Sequence, residues 1–126
     1  MKLLIYTHPF APKVGGVEAY VMSLAAELAR SNSTAPDNIQ ITVVTQTPAD
    51  GFDDTCLPFR VVRRPGMRKC LSLLREADVI HSAGPAFIPL IAGLGFRKAL
   101  VVEHSGYQAS CPNGLRPKPG LHFGAR

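Results

Sequence analysis

The stretch KLLIYTHPFAPKVGGVEAYVMSLAAELA, residues 2–29, decides the fold. Its first six residues, KLLIYT, are a short and nearly continuous apolar run, the pattern of a strand buried on both faces of a parallel sheet. From Val17 onward the apolar positions are Val17, Tyr20, Val21, Leu24, Ala25 and Leu28, a helical spacing sustained over three turns. The joint between them carries His8, Pro9, Pro12, Gly15 and Gly16, more than a plain strand-to-helix turn needs. Gly16 suits the N-cap, and Glu18 falls in the first turn, where the helix dipole favours an acid.

Outward from this unit the same alternation repeats. Ser31, Asn32 and the Pro36-Asp37 pair break the helix. IQITVVTQ, from Ile39, reads as a second strand. After a segment rich in Asp, Gly and Pro, a short third strand is expected around Arg60–Arg63. Residues 67–77 suit a helix, DVIHSAG a fourth strand, PAFIPLIAGLGF a short or broken helix and KALVVEHSG a fifth strand. Strands alternating with helices predict an α/β fold, a Rossmann-like doubly wound parallel sheet of order 3-2-1-4-5. The tail, Tyr107–Arg126, lacks periodicity and reads as loop.

The chain has 126 residues, which suits one domain, and 46% hydrophobic residues, enough for a core. The net charge of +5 favours anionic partners without choosing among phosphates, nucleic acid and lipid headgroups. Cys56, Cys70 and Cys111 are odd in number and form no C-x-x-C pair, which argues for a reducing compartment and against a disulfide framework or zinc site. Cys111 has no base near it in sequence to mark it as a nucleophile. The opening MKLLIYTHP is too brief for a signal-peptide core, and AFIPLIAGLGF, ended by Arg97 and Lys98, is too short to cross a bilayer. The expectation is a cytoplasmic protein able to touch the inner membrane face.

In a sheet of this order, ligands bind outside the carboxyl ends of the strands, near the switch point between strands one and four. His8, His81 and His104 are expected at the ends of strands one, four and five, on the same edge as Gly15 and Gly16. Two glycines ahead of a helix let a ligand approach the backbone, and the free N–H groups favour a phosphate. The plainer reading is that they close a tight turn. Each histidine alone has a plain reading too, as a satisfied strand-end residue. The trio has no i, i+4 pair and no carboxylate cluster, so no metal site is expected.

PKVGGVEAYVMSLAAELAR resembles the first loop and helix of glycosyltransferase family 4, retaining enzymes of the GT-B fold. ADVIHSAG is similar to the family's strand ending in Asp-Val-Ile-His, and ALVVEHSGYQASCPNG to the following strand with its closing histidine. Together these are spread over most of the stretch 2–114. The resemblance implies transfer of a sugar from a nucleotide-sugar to a glycan or lipid-linked acceptor, without a metal ion or other cofactor. By motif, Gly15 and Gly16 would approach the donor diphosphate and His104 would be the catalytic histidine near the transferring sugar. His8, His81 and Glu18 would line the acceptor side of the cleft. The family's carboxyl-terminal domain, with its nucleotide pocket and paired glutamates, has no counterpart here. The resemblance therefore implies the truncated amino-terminal, acceptor-side half, as a fragment or one piece of a split enzyme, inactive alone.

The run RVVRRPGMRK concentrates Arg60, Arg63, Arg64, Arg68 and Lys69. Related enzymes dock on anionic membranes through such surfaces; a solvated charged face is the alternative. No aromatics are interleaved with these residues, which argues against nucleic acid. A dinucleotide-dependent oxidoreductase would want G-x-G-x-x-G after strand one and an acid ending strand two, where the chain has KVGGVEA and VVTQT. A phosphoacceptor domain would want acids where Thr7 and His8 stand. The remaining rival is a non-catalytic Rossmann-like domain that binds a partner.

Overall fold

A computed structural model describes residues 1–32 and 38–104. The Pro36-Asp37 break, Cys111 and the tail from Tyr107 lie outside the described residues. The elements are β1 (Lys2–Thr7), α1 (Gly16–Ser31), β2 (Gln40–Thr45), a 3-10 turn (Asp54–Cys56), β3 (Arg60–Arg63), α2 (Met67–Glu76), β4 (Val79–Ala83), α3 (Phe87–Gly95) and β5 (Ala99–Glu103). The five strands form one parallel sheet in the order β3-β2-β1-β4-β5. This is a Rossmann-like α/β sheet whose order reverses between β1 and β4.

β1 is central because it is apolar on both faces. Leu4 and Tyr6 pack with Val44 and Ile80 under Cys70, Leu73 and Leu74 of α2 and Ala92 of α3. Ile5 points the other way, joining Ile41 and Val43 beneath Val21 and Ala25 of α1. Helices therefore cover both faces, as a parallel sheet requires. Each fully buried aliphatic side chain contributes roughly 1.5–3 kcal/mol. No helix links β2 to β3; Leu57 and Phe59, beyond the 3-10 turn, fill that side of the α1 layer instead.

The periphery is barer. Phe87, Ile91 and Leu94 of α3 are 81%, 67% and 71% exposed, so this helix is apolar on its outer face as well as its inner one. Val101 and Val102 of β5 are also exposed. No helix among the described residues is long and apolar enough to cross a membrane.

Candidate functional site

The joint after β1 is fastened from three strands. Thr7 Oγ1 donates to the Pro9 carbonyl (2.8 Å), while Thr45 Oγ1 and Thr47 Oγ1 donate to the His8 carbonyl (2.9 and 3.0 Å). Phe10 is fully buried, its N–H on Thr47 Oγ1 (3.1 Å) and its ring edge-on to Phe59. Arg63, at the end of β3, closes the assembly. Its Nε and Nη2 donate to the two oxygens of Asp54 (2.8 and 2.7 Å), and its Nη1 reaches the carbonyls of Ala11, Thr47 and Pro48 (2.7, 3.1 and 3.2 Å). The guanidinium also lies over Phe10 and Phe52 (5.6 and 5.7 Å to the ring centres).

This corrects one expectation. Arg63 does not belong to the solvent-facing basic run, because its forked head is used up inside the loop cluster and its side chain is only 11% exposed. Arg60, Arg64, Arg68 and Lys69 are exposed.

The cap is displaced by one residue from the expectation. Gly15, not Gly16, is the N-cap: it is extended (φ −172°, ψ 177°), its carbonyl accepts Ala19 N–H (3.0 Å), and Gly16 opens α1. A Cβ on Gly15 would run into the Glu18 carboxylate, which folds back over the cap. A Cβ on Gly16 would meet nothing within 4 Å, so the helix mouth is open on that side. Neither glycine has a positive φ, and the pair is therefore not demanded by backbone conformation.

The three histidines do not converge. His8, just past β1, is exposed and edge-on to Tyr6 at 5.6 Å. It borders a polar hollow with Lys13, Gln46 and Thr47. His104 follows β5, exposed, and lines an apolar hollow of about 280 Å³ with Pro85, Phe87, Leu90 and Val102, on the α3 side of the sheet. His81 is not at a strand end. It is the third of five residues in β4, in register with Ile5, and so faces α1. The period of two along a strand decides this, since one residue either way turns a side chain to the opposite face. Among the described residues, no hydrogen bond or ring contact joins any two of the three.

His81 instead has partners that sequence reading missed. Its Nε2 is 3.3 Å from Glu103 Oε2, and its ring is 6.4 Å from that of Tyr20 at 40°. Burial, then the charge and hydrogen bond of Glu103, push the Tyr20 phenol above its ordinary value. Only the alternation of ALVVE hinted at this, placing Glu103 on the same face as Val101 and hence as His81. Among the described residues, no group of three or more His, Cys, Asp or Glu side chains is placed to hold a metal ion.

No family model matches the chain, and neither a curated protein nor a solved structure does.

Proposed function

We propose that the chain is the amino-terminal, acceptor-side portion of a retaining GT-B glycosyltransferase, acting on a nucleotide-sugar and a glycan or lipid-linked acceptor. The observation that carries this reading is the open mouth of α1 beside the β1–β4 switch point, on a loop fastened by Thr45, Thr47 and Arg63. Unpaired N–H groups in the first turn attract a diphosphate and stabilise charge that develops on it as the sugar leaves. Because the loop is held before any ligand arrives, little ordering free energy is lost on binding.

Glu18 has a definite place in this scheme. Its carboxylate lies over Gly15, where it is itself favoured by the helix dipole. An arriving phosphate displaces it, and Gly16 offers the unobstructed approach. His104, next to Glu103 at the end of β5, would stand near the transferring sugar and His8 on the acceptor side; His81, inside β4 and facing α1, would not line the acceptor side. The exposed Arg60, Arg64, Arg68 and Lys69 would meet an anionic membrane at the inner face, each contributing about 1 kcal/mol near an acidic surface.

The test is calorimetric titration of nucleoside diphosphates and their hexose conjugates into the wild type and Gly16→Val. The added side chain projects into open space at the first turn, so the fold and melting temperature should be retained while nucleotide affinity falls at least tenfold. Equal affinity in the two proteins removes the phosphate from the joint. A second reading, a non-catalytic Rossmann-like partner-binding domain, draws support from the exposed apolar face of α3. Retained partner capture with no nucleotide affinity would favour it.

A further inference from the structure

Tyr20, His81 and Glu103 are brought together from α1, β4 and β5. A carboxylate accepts but does not donate, so His81 Nε2 carries the proton it shares with Glu103, while Tyr20 stands close enough for the charge of Glu103 to raise its phenol. His81 orients the carboxylate, and the Tyr20 ring flanks the pair. Exposure then rises outward: the His81 side chain is 14% exposed, that of Glu103 26%, and Tyr20 41%. The imidazole is a largely covered support, the carboxylate is partly open, and the phenol ring presents free surface.

A purely structural role accounts poorly for this layering, because one part-exposed hydrogen-bonded pair adds little net stability. It does suit recognition. A carboxylate has about four lone-pair sites, and about three remain for a ligand after His81 is served. Adjacent hydroxyls on a pyranose ring can donate to both oxygens, while an aromatic face covers the ring's C–H surface. Location adds a second observation. Tyr20 follows Gly16 by four residues and so lies on the same side of α1, about 6 Å further along. Glu103 ends β5 at the carboxyl-terminal edge of the sheet.

We propose that Glu103, held by His81 and flanked by Tyr20, is a sugar-hydroxyl-binding carboxylate with Tyr20 as its stacking surface. A pyranose whose phosphate is anchored at the start of α1 would lay its ring on Tyr20 and its vicinal hydroxyls on Glu103. That placement rests on the nucleotide-sugar reading; the affinity of Glu103 and Tyr20 for a bare pyranose does not.

The two are separable by experiment. Methyl hexopyranosides, titrated at concentrations well above millimolar, should shift the Tyr20 and His81 ring resonances in the wild type and not in Glu103→Gln. Tyr20→Phe keeps the ring and should retain a weakened response. Absence of any shift in the wild type overturns the proposal, whatever nucleotides do. A shift that persists unchanged in Glu103→Gln overturns it equally. In calorimetry, Glu103→Gln should lower affinity for nucleoside diphosphate hexoses about tenfold and leave the matched nucleoside diphosphates unchanged. Equal loss for both ligands overturns the selective role. If monosaccharides shift the rings but no nucleotide binds, Glu103 stands as a sugar site and the glycosyltransferase reading falls.

Discussion

At the scale of single residues, Arg63 governs the joint. Five donors in a rigid fork suit it to one carboxylate and three carbonyls at once, which a lysine cannot copy. Arg63→Met leaves Asp54 and those carbonyls without their partner, and should lower stability by about 3 kcal/mol. Arg63→Lys should recover part of that loss. Hydrogen exchange gives the sharper readout: amides of the loop from His8 to Gly15 should exchange faster in Arg63→Met than those of β4. Uniform acceleration across the sheet would make Arg63 a general stabiliser and not a clamp on the loop. Arg63 looks like one more cation in RVVRRPGMRK; its contact with Ala11, 52 positions away, appears only on folding. Glu103 is similar, adjacent in sequence to the histidine that drew attention yet paired with the one on β4.

Secondary-structure elements were legible because their periodicities are local. Most strand and helix limits deviate from the sequence reading by a residue or two, the usual extent of fraying; β5, read as KALVVEHSG, ends earlier, at Glu103. The two faces of a helix are less plain when both are apolar. In α2, Cys70, Leu73 and Leu74 turn inward, leaving Arg68, Lys69 and Arg75 outside. In α3, periodicity cannot tell Ala92, which is buried, from Leu94, which is not. The difference has a measurable consequence. Leu74→Ala should lower unfolding free energy by about 2–5 kcal/mol through lost burial and a cavity. Leu94→Lys, at a position 71% exposed, should change it by no more than about 0.5 kcal/mol. Denaturant melts of the two variants check both figures, and a large loss at Leu94 would mean that this face is covered in solution.

For the molecule as a whole, stability should decline on the alkaline side. Burial pushes the Cys70 thiol above its ordinary value of 9.0, and burial with Glu103 pushes the Tyr20 phenol above 10.0. Between those values and the higher ones in the fold, the unfolded chain has released protons that the native chain keeps. Unfolding is then favoured as pH rises, whereas below about pH 9 both contributions are intact. Urea midpoints measured from neutral pH upward should fall, and Tyr20→Phe should remove the part that begins near 10. A flat profile would show that neither group stays protonated longer in the native state. The sheet also sorts the histidines: His81 goes to the α1 side by its register with Ile5, while His104 lines a hollow beside α3.

The five strands, the helices that cover them and the glycine-bearing start of α1 were legible in the sequence itself, and their alternation implied the order 3-2-1-4-5. Each element follows from hydrophobic spacing and turn chemistry within a short window, where chain geometry leaves few alternatives. Which side chains meet was decided by the tertiary structure alone. Strand register converts a shift of one residue into a change of face, so Glu103 and Tyr20 reach His81, and Arg63 reaches the first loop, only after distant segments pair.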